Sequence, residues 1–192
     1  MADVGPFTIL VVCTGNICRS PAAAELLRRK LPPEQGFDVQ SAGTRAIAGA
    51  PVAAPMAALL AQEGIAVTGF AARQLTPGLL QGASLVLTMT RAHRATAAAM
   101  HPPAVTRAFT LREFAAILTH PDGFTATAGS SLVERAAAAT RLASTHRTRL
   151  KPGRSAEEDD VIDPFGQTGA IYQASFDQLR PAVETILKVL GA

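Results

Sequence analysis

Cysteine is nearly absent: of 192 residues only Cys13 and Cys18 carry a thiol. Two thiols cannot staple a secreted disulfide scaffold or complete a four-cysteine zinc site. Trp is missing and Tyr172 is the only tyrosine, so Leu, Ile, Val and eight Phe must supply most of the buried area. Ala, at 38 residues, inflates the 48% hydrophobic fraction without adding much core. Long apolar runs are lacking too. The longest, Phe7–Cys13, falls far short of the ~18 residues of a bilayer span. It also lacks the basic flank and cleavage pattern of a secretory signal. The expectation is a soluble, cytoplasmic protein that contacts no membrane. Lys is scarce, three against 15 Arg, and those Arg are scattered at a net charge of only +3. That leaves no electrostatic footprint for nucleic acid. The length suits a single domain over residues 1–192.

What is present alternates strand with helix. Phe7–Cys13 is a β-branched apolar run of the kind buried on both faces of a parallel sheet. A turn at Thr14-Gly15-Asn16 leads into a helical stretch, with Ser20 as its expected N-cap, Pro21 at the first position and Pro32-Pro33 beyond its end. Residues 37–42, 84–89 and 105–110 read as three further strands, and residues 52–62, 91–100 and 111–118 as helices between and after them. Near the end, Tyr172, Phe176, Leu179, Val183, Ile186 and Leu190 recur every three or four residues, the stripe of an amphipathic helix. Pro181 inside it predicts a kink or a break. This order predicts a doubly wound α/β fold: a parallel four-stranded sheet with flanking helices. Residues 119–160 fit it poorly. They read as a helical insertion before the last helix, a solvated, partly mobile arm with a helix over 132–150 and the acidic run Glu157-Glu158-Asp159-Asp160. Its Arg135, Arg141, Arg147, Arg149 and Arg154 suggest a surface that could dock an acidic substrate protein.

The chemistry concentrates in Cys13-Thr14-Gly15-Asn16-Ile17-Cys18-Arg19-Ser20-Pro21, between the first strand and the first helix. Ligands of open α/β sheets bind beyond the strand C-termini, and a loop entering a helix aims N–H groups at an anion. No Gly-Lys-Ser/Thr follows Gly15, which argues against a nucleotide-binding Walker loop. Instead, a thiol stands six residues ahead of a guanidinium. A helix N-terminus beside an Arg favours the nucleophilic thiolate, and the planar fork of Arg19 can hold two oxygens of a tetrahedral anion. Gly15 and Asn16 are suited to left-handed backbone angles that curl the loop inward, and Ser20 can donate to the sulfur as it leaves. Such a cradle suits phosphoryl transfer.

This block resembles the low-molecular-weight protein-tyrosine-phosphatase family, whose loop is Cys-x-Gly-Asn-x-Cys-Arg-Ser-Pro. The resemblance implies a flavodoxin-like sheet, Cys13 as nucleophile, Arg19 as phosphate clamp, and a substrate-binding loop of Thr14, Gly15, Asn16, Ile17, Cys18 and Ser20. The family draws its general acid and base from an Asp-Pro-aromatic motif far downstream. Here Asp163-Pro164-Phe165 stands in that place, with Pro164 keeping Asp163 on a stiff loop. Ile47 and Phe165 would wall the slot, Ser41 would buttress the loop, and no metal or cofactor is implied. Two departures, Phe70 where many members carry His and Thr90 where many carry an acid, bear on the polar network around the loop. Ile17 favours a ring over a guanidinium, so the expected partner is a phosphotyrosine-containing protein. A phosphoarginine phosphatase, an arsenate reductase using a small external thiol and a non-catalytic phosphate-binding module are the alternatives. Cys18 is either a small buried residue or a thiol that captures oxidised Cys13. His93, His101, His120 and His146 show no ligand spacing and read as surface residues. Nothing in the pattern sets an oligomeric state.

Overall fold

The computed structural model describes residues 5–120, 130–150 and 154–192, without the side chains of 148–150. The elements run β1 (Phe7–Cys13), α1 (Arg19–Arg28), β2 (Phe37–Gly43), α2 (Ala54–Gln62), α3 (Pro77–Gly82), β3 (Leu85–Thr88) and α4 (Arg91–Met100). They continue through β4 (Ala108–Thr110), α5 (Leu111–Leu118), α6 (Leu132–Leu150), α7 (Ala156–Asp159) and α8 (Gly169–Leu190). The four strands lie in the order β2-β1-β3-β4, and every pairing is parallel. The expected α/β sheet with flanking helices is therefore present.

Strand β1 explains the layering. Ile9, Val11 and Cys13 face one side, where they join Leu27 of α1, Phe114 of α5 and Leu179 of α8 in the larger core. Leu10 and Val12 face the other, with Leu80 of α3 and Ala97 of α4. A two-residue period with both faces apolar requires helices on both sides of the sheet. Because β1 has β2 on one flank and β3 on the other, the chain reverses its direction of travel across the sheet here. The C-terminal end of β1 is thus the switch point at which α/β sheets open a crevice.

The arm departs from its expected character. Ala136, Ala139 and Ala143 of α6 are buried in the larger core, so this helix is a packed layer and no solvated excursion. Small Ala side chains let it approach closely. Its Arg residues are largely spent inside the molecule: Arg135 donates to the carbonyls of Leu190 and Ser130, Arg154 pairs with Asp159, and Arg147 pairs with Glu113. Arg147 also lies 4.1 Å over the Phe109 ring. Three of the five Arg expected to line a docking face are thus engaged within the molecule, while Arg141 stays exposed and the Arg149 side chain lies outside what is described.

Smaller differences have local causes. Helix α1 begins at Arg19 with Cys18 at the cap and no side-chain cap bond. Ser20 turns its hydroxyl to the Cys13 sulfur instead. Residues 102–106 form a 3-10 turn dictated by Pro102 and Pro103, which shortens β4 to three residues. The unforeseen α3 is capped by Thr76 with Pro77 at its start, and the unforeseen α7 by a Ser155–Glu158 capping box. Helix α8 runs through Pro181 without a break, its buried stripe compensating for the missing amide. Among the described residues no helix is long and apolar enough to cross a membrane.

Candidate active site

The loop between β1 and α1 takes its shape from the segment that follows β2. The amides of Thr44, Arg45, Ile47 and Ala53 donate to the carbonyls of Cys13, Thr14, Gly15 and Ile17 at 2.8–3.0 Å. In a trans peptide the N–H points opposite the C=O. Tying those four carbonyls outward therefore turns the amides of Thr14, Gly15, Asn16 and Cys18 inward. At Asn16 the direction is explicit, since its N–H points at Cys13 Sγ from 3.3 Å. The curl rests on Asn16, at φ +55° the only non-glycine in the left-handed region among the described residues. Gly15, expected to share that role, does not. A Cβ on Gly15 would instead project 3.4–3.8 Å from Ile17 and Ile47, into the slot.

Asn16 is fully buried and saturates its amide: Nδ2 donates to Ser20 Oγ at 3.0 Å and to Ser41 Oγ at 2.9 Å, and Oδ1 accepts from the Arg73 amide at 2.9 Å. The polar network therefore stands despite Phe70 and Thr90. Ser20 Oγ lies 3.0 Å from Cys13 Sγ. Gly43 closes the rear; a Cβ there would collide with the Thr14 carbonyl and reach 3.0 Å from the Asn16 amide.

Arg19 reaches the same space from the first turn of α1. Its Nη1 donates to the Val161 carbonyl at 3.0 Å, and its Nη2 pairs with Asp163 Oδ2 at 2.5 Å. Its Nε is buried with no partner. A guanidinium N–H held dry and unpaired beside a ring of inward amides is an anion donor in waiting. Asp163, half exposed, is steadied at Oδ1 by the Phe165 amide at 3.2 Å.

These groups floor a pocket of about 260 Å³. Cys13, Thr14, Gly15, Ile17, Cys18 and Arg19 form its base, and Ile47, Phe165, Arg45 and Asp163 its rim. Every expected site residue is thus gathered here except Asn16 and Ser20, which brace the loop from beneath. Ile47 and Phe165 both stand exposed on the lining, apolar surfaces of the kind that mark a ligand slot. Cys18 and Tyr172 support the floor, the thiol donating to the phenol oxygen at 3.8 Å. Burial pushes Cys18 up to about 11 and Tyr172 up to about 12. Among the described residues no three His, Cys, Asp or Glu gather to hold a metal.

Two participants had not been foreseen. Arg45 adds a second cation to the rim. His93, expected at the surface, is buried at the start of α4. Its Nε2 meets Thr14 Oγ1 and its Nδ1 meets Thr90 Oγ1, each at 2.8 Å. Burial, then the charges of Arg19 and Arg45, lower its pKa to about 4, so the imidazole that props the loop is neutral. Thr90 followed three residues later by His, at a helix start, was the available signal.

A family model described as low molecular weight phosphotyrosine protein phosphatase matches residues 8–122. The probable low molecular weight protein-tyrosine-phosphatase EpsP of Ralstonia solanacearum is 44% identical over 106 residues, 55% of this chain and 71% of that protein. The protein-arginine-phosphatase of Geobacillus stearothermophilus is 29% identical over 185 residues, 96% of this chain and 97% of that one. Among solved structures, the YwlE arginine phosphatase of the same organism aligns with a TM-score of 0.69 at 29% identity, covering 97% of this chain and 94% of its own. The Erwinia amylovora tyrosine phosphatase AmsI shares the fold at a TM-score of 0.69 and 19% identity, over 100% and 98%.

Proposed function

The chain belongs to the low molecular weight phosphotyrosine protein phosphatase family, and from that premise we propose that it hydrolyses phosphotyrosine in proteins through a cysteinyl-phosphate intermediate. The observation that carries the proposal is the convergence of Cys13, the inward amides and the unpaired Arg19 Nε on one point, with Asp163 on the far edge of the same guanidinium.

In this mechanism a phosphoryl dianion settles on the loop amides and Arg19 Nε. It competes for Nη2, which releases the Asp163 carboxylate from its ion pair to take up a proton from solvent and face the leaving oxygen. The Cys13 thiolate forms an S–P bond as the P–O bond breaks, and the electron pair leaves with the phenolic oxygen, which takes a proton from Asp163. Water then attacks phosphorus and gives a proton back to Asp163. The S–P bond breaks, and Ser20 Oγ, 3.0 Å away, donates to the departing sulfur. Arg19 follows the equatorial oxygens through both steps.

The slot favours a ring. Ile17, Ile47 and Phe165 offer apolar surface, and the one carboxylate among the described lining residues, Asp163, is committed to proton transfer. A guanidinium would meet Arg45 with no second acid to balance it. A second reading, phosphoarginine hydrolysis, draws support from the whole-length likeness to the arginine phosphatase. The test is a panel of phosphotyrosine, phosphoarginine and phosphoserine peptides, with thiol-dependent arsenate reduction run beside it. The expected result is a preference for phosphotyrosine of at least ~10-fold in kcat/KM and complete loss in Cys13→Ser. Faster phosphoarginine or arsenate turnover would overturn the substrate, and an active Cys13→Ser the mechanism.

A further inference from the structure

The geometry points to Asp159 and Arg91 as positioning residues for Asp163, a latch that transmits the packing of α4 and α5 to the general acid. This rests on the reading of Asp163 given above. The loop that carries the acid is pinned at each residue leading to it. Asp159, buried at 1% exposure, pairs through Oδ2 with Nε and Nη2 of Arg91 at 2.9 and 2.7 Å, and through Oδ1 with Arg154 Nε at 2.9 Å. Asp160 accepts from the Arg91 amide at 2.8 Å, and its carbonyl accepts from Arg112 of α5 at 2.8 Å. The Val161 amide donates to the Met89 carbonyl at 2.8 Å, while its own carbonyl takes Arg19 Nη1. Ile162 is held on both sides by α8, its amide by Gln178 at 2.8 Å and its carbonyl by Ser175 at 3.0 Å.

Asp163 itself has less support. It is half exposed, accepts from the Phe165 amide at 3.2 Å and makes one ion pair, with Arg19, which the mechanism requires it to give up. Once that pair opens, its position depends on its own short loop and on the backbone behind it. The strongest anchor on that backbone is the buried carboxylate of Asp159 between two guanidinium groups. Charge-assisted bonds of this kind fix direction as well as distance. Carboxylate placement within a few tenths of an ångström decides whether a proton reaches the leaving oxygen in step with P–O cleavage. The end of the inserted segment, remote from the substrate, thus enters the reaction through proton delivery alone.

The test separates proton delivery from everything else. Kcat/KM is measured for phenyl phosphate, whose leaving group needs a proton, and for p-nitrophenyl phosphate, whose leaving group does not. Asp163→Asn should lower the first ~100-fold or more and the second far less. Asp159→Asn should split the substrates in the same direction by ~10-fold, and Arg91→Met by less, since Arg154 still holds Asp159 in that variant. In the Asp163→Asn background, Asp159→Asn should add no further loss on phenyl phosphate, the signature of two residues acting in one step. Equal losses on both substrates, or none, in Asp159→Asn and Arg91→Met would overturn the latch while the Asp163 reading stands. No split in Asp163→Asn would overturn both. If Asp159→Asn fails to fold, Arg91→Met, altering a partly exposed side chain, decides alone.

Discussion

Lowering the pH from about 7 to about 5 should destabilise the protein by about 2 kcal/mol through His93 alone. The imidazole is 7% exposed, and its two nitrogens are engaged by Thr14 and Thr90. Burial and then Arg19 lower its pKa from 6.5 to about 4, with Asp163 pulling the other way and Arg45 adding a smaller push down. A base with a folded pKa below its unfolded value binds more protons unfolded than folded in the interval between them, so stability falls as pH falls through it. Near pH 7 both states are neutral and the effect is negligible. Near pH 5 the unfolded chain is almost fully protonated at this site and the folded chain is not, which gives about 2 kcal/mol. Below about pH 4 the folded imidazole takes a proton as well and the loss levels off. Urea denaturation of the wild type and His93→Gln at the two pH values isolates the contribution, because the carboxylates common to both cancel. The wild type should lose about 2 kcal/mol more than the variant. Equal losses would show that the neutral, buried imidazole is not what the pH change attacks.

Two further outcomes follow from the loop. Gly43→Ala should cost about 1–3 kcal/mol and most of the phosphatase activity, since its methyl collides with the Thr14 carbonyl behind the cradle; thermal denaturation and kcat/KM together check this, and a stable, fully active variant would refute it. Cys18, with its thiol pushed up to about 11 by burial, should resist iodoacetamide at neutral pH in the native protein and react once the chain is unfolded, as peptide mass spectrometry would report.

Wherever pattern and physics were local, the sequence was informative. An apolar run, a loop of special residues and a helix start within residues 7–28 specify strand, loop and helix, and the structure gathers Cys13, Ile17 and Arg19 on one pocket. Asp163 stands out through the Asp-Pro-aromatic motif the resemblance supplies, yet its ion pair with Arg19 joins residues far apart in sequence and has no local signature. His93 was misassigned because a lone histidine in a polar helix looks solvated; only its neighbours in space bury it. The arm failed for a related reason. Scattered Arg and Ala read as a wet helix, but Ala lets α6 pack closely and the Arg find buried acids and carbonyls. The short α3 and α7 do carry local signals, Thr76 before Pro77 and Ser155 three residues before Glu158.

Two supports at the start of α1 come from far along the polypeptide: Arg19 and Val161 are 142 positions apart, and Cys18 and Tyr172 are 154 apart. During synthesis at ~5–20 residues per second, Arg19 is made roughly 7 to 30 seconds before Val161. Through that interval Arg19 lacks both the Val161 carbonyl that holds its Nη1 and the Asp163 carboxylate that pairs with its Nη2, so its guanidinium takes its final direction only from residues made late.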